Sequence, residues 1–394
     1  MLNIDQLVTL KALAEWYDQK VLTLPPFLTE SYFPGIKIGT DLVQYLVSHG
    51  EAPKLAKAST YDAQPVPVNR EEFEKETFST SFFRNTMALN ENDLEELNRA
   101  LFNSDDALVD TVLRRIFDDE TKQLLGHRAR REWMGMQALM TGEIKLASGG
   151  VKSSVTYQTR DGFNSTSNVK WTDTAKSTPI DDLQSAIDAM KKVGIVPNQV
   201  VMNTETFRLI QRNESVKATL LANNANTPNV RLTQSQAVDY LQTELHITPV
   251  IYDQGFIDKD ATGNDDFTPY VPTGKIALFN APIPEQFALT GTGSTGVVDG
   301  TQPIGHMAFA PTPEELAVRN GELPGNTVQT FDIGVTYHVY YDQRMARKET
   351  LVSMNCLPTF EGSLGVFRMT VTDQPDSGTD TATEEPAGDS GASK

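Results

Sequence analysis

Apolar residues fall at helical spacing along the first two dozen positions. Leu7, Leu10, Ala14, Tyr17 and Val21 share a face, Asn3 stands where an N-cap would, and Pro25-Pro26 ends the run. The polar face is not rich in Lys or Arg, so the stripe reads as docking on protein rather than lying on lipid. From 31 to 85 the pattern changes. SYFPGIKIGTDLVQYLVSHG holds two short strand-like pieces, the following EAPKLAKASTYDAQPVPVNREE is Pro-rich with few large apolar residues, and ETFSTSFF is strand-like again. This predicts a two-stranded excursion whose tip exceeds the ~12–15 residues of ordinary connections. Pro65 and Pro67 suit an edge blunted against further pairing.

Residues 104–141 predict one long helix. Ser104 is placed as N-cap with Asp105 and Asp106 in the first turn, and Gly142 sits at the C-cap. Its apolar stripe runs Val109, Val112, Leu113, Ile116, Phe117 and Leu124. A charged run, HRARRE (His127 to Glu132), interrupts it before Trp133, Met136 and Leu139 resume. At 1.5 Å per residue such a helix is roughly 57 Å long. That is a spine needing partners beyond one compact core.

Residues 177–255 alternate helix and strand. Thr178-Pro179 opens a helix with Asp181 and Asp182 in its first turn, and Gly194 closes it. The strand VVMN follows, Thr204 is expected to cap ETFRLIQ, Thr233 to cap QSQAVDYLQTEL, and ITPVIYDQ reads as a strand. YVPTGKIALFN and EQFALT are expected β pieces. TVQTFDIGVTYHVYY (327–341) alternates cleanly enough to predict one strand, with Phe331, Ile333, Val335, Tyr337, Val339 and Tyr341 on one face. ETLVSMNCLP is its partner or neighbour, with Val352, Met354 and Cys356 on one face. The last 21 residues hold no apolar residue larger than Ala and predict a disordered acidic tail (374–394).

Composition narrows the classes. The 394 residues are 39% apolar and 22% charged, which fits a soluble globular chain of two or three domains. No run reaches the ~18 apolar residues of a membrane helix. The N-terminus lacks a basic n-region, so no secretory signal and a cytoplasmic place of synthesis are expected. The net charge is −18. The tail carries one Lys against five acids, so −14 remains on the body. Such a surface repels nucleic acid rather than gripping it, which does not exclude a container for DNA, whose walls must not stick to their contents.

No motif carries chemistry. Gly291, Gly293 and Gly296 spell G-x-G-x-x-G after a strand, but VVDGTQPIG cannot open the helix a pyrophosphate needs. Asp258, Asp260, Thr262 and Gly263 match the start of a calcium loop, but Pro269 stands where its bidentate Glu belongs, so they read as a turn. His49, His127, His246, His306 and His338 form no ligand pattern, and the lone Cys356 reads as a buried small hydrophobe. Carboxylate pairs such as Glu95-Glu96 and Asp118-Asp119 read as solvated helix faces. No enzyme, cofactor or metal is expected.

The order of elements, with FLTESYFP at 27–34, REWMGMQALMTGEI at 131–144 and ETLVSMNCLPTFEGSLGVFRMTV at 349–371, resembles the major capsid proteins of tailed bacteriophages. The likeness is to the lambda-like protein E branch of the Hong Kong 97-type fold and covers roughly 1–373. It implies an α+β capsid fold with an N-terminal arm (1–34) and an extended β-hairpin loop (35–85). A peripheral domain (86–176 with 322–373) would be built on the spine helix 105–141, with an axial α/β domain at 177–321. It further implies hexamers and pentamers closing an icosahedral shell around dsDNA, bound without sequence specificity. Arm and loop would reach onto neighbours. Scaffolding, portal and decoration proteins would be separate partners, the virion the destination and the host bacterial cytoplasm the place of assembly. Covalent Lys–Asn crosslinks occur in some relatives; Lys54 and Lys57 lie in the loop here. In the family's geometry the loop's Lys54, Lys57 and Arg70 would face a neighbour's Asp118, Asp119 and Glu120. Two other readings stay open: a nanocompartment shell of the same fold, and an enzyme with its site in 177–321.

Overall fold

A computed structural model describes residues 10–23, 26–47, 74–88, 106–148, 151–220, 232–259, 265–284, 286–289, 302–342 and 347–373, with Glu95, Arg99 and Phe102. The excursion tip with Lys54, Lys57 and Arg70, the helix cap at Ser104, the Gly291–Gly296 motif and the tail lie outside these residues.

In chain order, an arm helix (Leu10–Thr23) and a single turn (Thr29–Tyr32) precede β1 (Gly35–Lys37), β2 (Leu42–Val47), β3 (Glu74–Ser79) and β4 (Ser81–Ala88). The long helix is Asp106–Thr141. β5 (Glu143–Ser148), β6 (Val151–Thr156) and β7 (Asn164–Thr166) follow. The α/β stretch comprises the helix Pro179–Lys192, β8 (Gln199–Met202), the helices Thr204–Arg212, Glu214–Leu220 and Gln234–Tyr240, and β9 (Thr248–Ile251). Next come β10 (Gly255–Lys259), β11 (Asp265–Pro269), β12 (Lys275–Phe279) and β13 (His306–Phe309). After the helix Pro313–Arg319 the chain ends in β14 (Val328–Phe331), β15 (Val335–Asp342), β16 (Arg347–Thr359) and β17 (Phe367–Thr370).

The chain forms two compact units. One comprises Met1–Tyr45, Glu76–Gly135 and Gly305–Thr359; the other Leu46–Lys75, Met136–Ile304 and Phe360–Lys394. The long helix begins in the first and ends in the second, as a spine would. Residues 305–321 belong with the first unit, and 136–176 and 360–373 with the second.

The first unit is built on β16, which pairs with β4, β15 and β13 along its length. Val352, Met354 and Cys356 on it are fully buried. Burial pushes the Cys356 thiol up to about 12, so it stays protonated and unreactive. Residues 327–341 are two strands, not the single one expected. β14 and β15 form a hairpin in which Phe331 faces Val335 and Gln329 faces Tyr337. Because the register pairs odd with odd, the turn preserves the side-chain alternation, and the sequence pattern is the same for one strand or two. Asp332 takes the left-handed φ of 47° at the turn, which Asp tolerates. At Gly334 a Cβ would collide with the Phe309 ring. Ile333, in the turn, is 42% exposed rather than buried.

The second unit holds the sheet β7-β17-β12-β8-β9, with β8 and β9 parallel. Trp171, Leu183, Met190, Val200, Ile210 and Leu278 are fully buried in its core. Trp171 donates its indole N–H to Asp182 at 2.9 Å. Helix signals are mostly where the sequence put them: Pro179 at the first turn, Gly194 at φ 91°, and a Thr233–Gln236 capping box. One moves by a residue. Asn203, not Thr204, caps the helix Thr204–Arg212, accepting from the Thr206 N–H at 2.9 Å, while the Thr204 hydroxyl turns to Asp253. In EQFALT the described residues form an isolated bridge, Ala288 to Val250, rather than a strand.

Arg368 is 4% exposed and closes the C-terminal end of the long helix. Its Nε donates to the Leu139 carbonyl at 2.7 Å, and its terminal nitrogens to the Ala138 carbonyl at 3.1 Å and to Thr159 at 3.2 Å. Helix-end carbonyls need such partners. Burial lowers the guanidinium pKa to about 10, so it remains charged at neutral pH.

Candidate assembly surfaces

The charged run on the long helix is a lock for the arm of the same chain. Glu132 is 1% exposed, and its carboxylate accepts from the backbone N–H of Leu28 at 3.1 Å and of Thr29 at 3.1 and 3.2 Å. Thr29 lies so close that a Cβ on Gly135 would run into its side chain. Arg128 grips Glu30 at 2.8 and 3.0 Å and stacks over Phe27. Arg131 meets Asp332 at 2.8 Å, and Tyr17 donates to the same carboxylate at 3.2 Å. Leu13, Tyr17, Leu28, Tyr32 and Phe33 are at most 3% exposed. The expectation that arm residues wait for a neighbour to bury them is therefore not met at Leu13, Tyr17, Leu28, Tyr32 and Phe33. Arg128 and the buried Glu132 on the helix hold this stretch in cis, Arg131 and Tyr17 share Asp332, and each of these buried charges is hydrogen-bonded, as burial demands.

The acidic residues expected to face a neighbour separate. Asp118 pairs with Lys20 at 3.1 Å and Asp119 with Lys122 at 2.7 Å, with both carboxylates about 40% exposed (41% and 43%). Glu120 is 3% exposed and turns inward to Tyr337, whose hydroxyl is raised well above its ordinary pKa first by burial and then by the Glu120 charge. A side chain so placed cannot receive an incoming lysine. Helical spacing explains the split, since 120 shares a face with Ile116, Phe117 and Leu124.

Apolar residues are exposed elsewhere. On the excursion, β2 alternates strictly. Val43, Tyr45 and Val47 are buried, the Tyr45 hydroxyl donating to Glu76, while Leu42 (46%) and Leu46 (53%) face outward. Phe82 on β4 is 43% exposed. In the second unit Ile257 and Phe267 stand out from the β10–β11 ribbon.

No catalytic constellation forms among the described residues. A groove of about 370 Å³ in the first unit has an apolar floor of Phe33, Met307, Phe309 and Ile333. The charged groups on its rim, Arg128, Arg131, Glu132 and Asp332, are engaged in the contacts above. No cluster of His, Cys, Asp or Glu among the described residues could hold a metal. No described helix is long and apolar enough to cross a membrane.

A spine helix shared by two units, a β hairpin excursion and outward-facing apolar rows define a shell-building subunit of the Hong Kong 97-type α+β capsid fold. The family model for phage major capsid protein E matches residues 9–294, and the chain belongs to that family. It is a major capsid protein of a tailed phage, a structural protein of the virion capsid that self-assembles into a shell, and not an enzyme. Among solved structures it is similar to the putative capsid protein of a prophage of Escherichia coli CFT073, with a TM-score of 0.52 and 14% identity over 93% of this chain and 99% of that one. A phage-related protein of Bordetella bronchiseptica RB50 gives 0.48 and 13%, covering 93% and 99%. The SrpI encapsulin of Synechococcus elongatus PCC 7942 gives 0.35 and 12%, covering 90% and 95%. No curated protein matches the sequence.

Proposed function

We propose that the subunit assembles as hexamers and pentamers into an icosahedral shell around dsDNA, built in the host cytoplasm with separate scaffolding, portal and decoration proteins. In this reading 1–34 is the arm, 35–85 contains the extended loop, 86–176 with 322–373 is the peripheral domain and 177–321 the axial domain. The observation that carries it is the excursion's outward row of Leu42 and Leu46, apolar area exposed on a narrow two-stranded ribbon. Basic loop residues Lys54, Lys57 and Arg70 pair with a neighbour's Asp118 and Asp119; buried Glu120 is left out. The acidic body keeps the contents from adhering to the wall.

The test is negative-stain microscopy of the full chain, alone and with the product of the adjacent gene. Deletion of residues 50–70 should give a folded subunit that builds no shells. Normal shells from that deletion would remove the loop from assembly. Lys54→Glu with Lys57→Glu should block assembly, and Asp118→Lys with Asp119→Lys should partly restore it. A quadruple variant no better than the double would dismiss the pairing.

A further inference from the structure

The excursion has two roots in the first unit, and β1 and β4, the strands that carry them, are not paired with each other. The chain departs after β1, which lies beyond β13 on one edge of β16, and returns through β4 on the other edge. Three strand spacings, ~14 Å, separate β1 from β4. At the base of the excursion the Thr80 N–H donates to the Asp41 carbonyl at 2.8 Å. Lys37 lies four residues before Asp41, and Arg84 four residues after Thr80.

Two adjacent carboxylates hold those two cations. On the helix Pro313–Arg319, Glu314 pairs with Arg84, and Glu315 with Lys37 at 2.8 Å. This helix inverts the usual surface pattern, since Glu314 is 4% exposed and Leu316 is 40% exposed. It rests on a polar row. Arg84, Ser353, Thr336 and Thr330 stand opposite one another across β4, β16, β15 and β14. Ser353 donates to Glu314 at 2.6 Å, Thr330 to Glu315 at 3.0 Å, and Thr312, the helix N-cap, to Thr336 at 2.9 Å. Seven residues are too few for a helix that stands alone, so these contacts are what seat it. An apolar underside would settle on any apolar sheet. Charge-assisted hydrogen bonds are directional, and here they select one cation on each root.

We propose that Glu314 and Glu315 are positioning residues for assembly, a two-carboxylate clasp that fixes the spacing of the excursion's two roots before any neighbour is met. Its role in assembly rests on the functional reading above, in which the excursion reaches a neighbour. A root held in place beforehand leaves less freedom to be lost on docking.

Hydrogen exchange of the unassembled full chain reads the clasp apart from assembly. The Thr80 amide marks the base of the excursion, and the Ile38 amide, bonded to the Phe309 carbonyl at 2.8 Å, marks its first root. Lys37→Glu should speed both at least ~10-fold while the amides of β16 stay within ~3-fold of the parent, and adding Glu315→Lys should return both to within ~3-fold. The Lys37 side chain is 51% exposed, so melting of that variant should stay within ~3 °C. Under shell-forming conditions Lys37→Glu should raise the critical concentration for assembly at least ~5-fold, by light scattering and microscopy, and the charge-swapped pair should lower it again. Root amides that keep the parent's rate, a speeding that takes in β16 equally, or no return in the pair overturns the clasp. Root amides that respond as expected beside shells formed at the parent's concentration overturn its role in assembly. A parent chain that builds no closed shell overturns the functional reading instead.

Discussion

The arm contact and the β10–β11 ribbon invert the usual rule in opposite ways. Where residues 27–33 meet the long helix, charged Arg128 and Glu132 are buried. On the ribbon, Ile257 and Phe267 are in water. The difference lies in where the partner is. Glu132 has the Leu28 and Thr29 N–H groups within its own chain, so its desolvation is offset in the subunit. The ribbon's apolar pair has no such cover, and a shell subunit meets its partner only on assembly. Burial of charge here goes with partners inside the chain, and exposed apolar area is surface that the subunit alone does not cover.

This contrast can be broken first at Glu132. Glu132→Ala leaves two buried backbone donors without an acceptor and should cost roughly 2–6 kcal/mol in urea unfolding of the subunit. A loss under about 1 kcal/mol would mean the arm is not locked. Arg368→Met keeps the volume but strips the end of the long helix of its cap, for about 2–4 kcal/mol, read as a lower unfolding midpoint. Gly135→Ala should cost about 1–3 kcal/mol by driving a methyl into Thr29, and Thr29→Ala should recover part of it.

Acid should loosen the same region more gently. Burial holds both His127 and His338 below the ordinary histidine value of 6.5. The unfolded chain then takes up protons first as pH falls, so this contribution is full above about 6.5 and is lost as pH drops toward the folded values. The slope is bounded by ~1.4 kcal/mol per pH unit for each histidine. Melting of His127→Gln beside the parent between pH 7 and 5 should show a shallower decline. The smallest effect is at Lys20 and Asp118, both more than 40% exposed; Asp118→Ala should cost about 0.2–1 kcal/mol and less in high salt.

Much of this was legible before any coordinates. The long helix with Gly142 at its end, the α/β stretch and the paired strands near the C-terminus follow from local spacing and capping residues, which act within a few positions. What local pattern cannot carry is partnership across the chain. HRARRE is visibly charged, but its partners lie about 100 to 200 residues away, at Leu28, Thr29, Glu30 and Asp332. Arg368 reads as an ordinary strand cation until it reaches Leu139. Glu120 reads as one of three surface acids, and only its helical face separates it from Asp118 and Asp119. The 327–341 hairpin is not visible in the pattern, because its odd-to-odd register leaves the alternation unbroken. Ile257 and Phe267 each stand alone between polar residues, a local pattern too short to mark an exposed face.

Hydrogen exchange of the same full chain, unassembled and in shells, tests the division between finished and unfinished surfaces most directly. The amides of Leu28 and Thr29, held by Glu132, should be protected equally in both. Those of the ribbon, 255–259 and 265–269, and of β2, 42–47, should exchange quickly in the subunit and slow by at least ~10-fold in the shell. Amides at 28–29 that become protected only in the shell, with a ribbon that exchanges alike in both, would contradict the account.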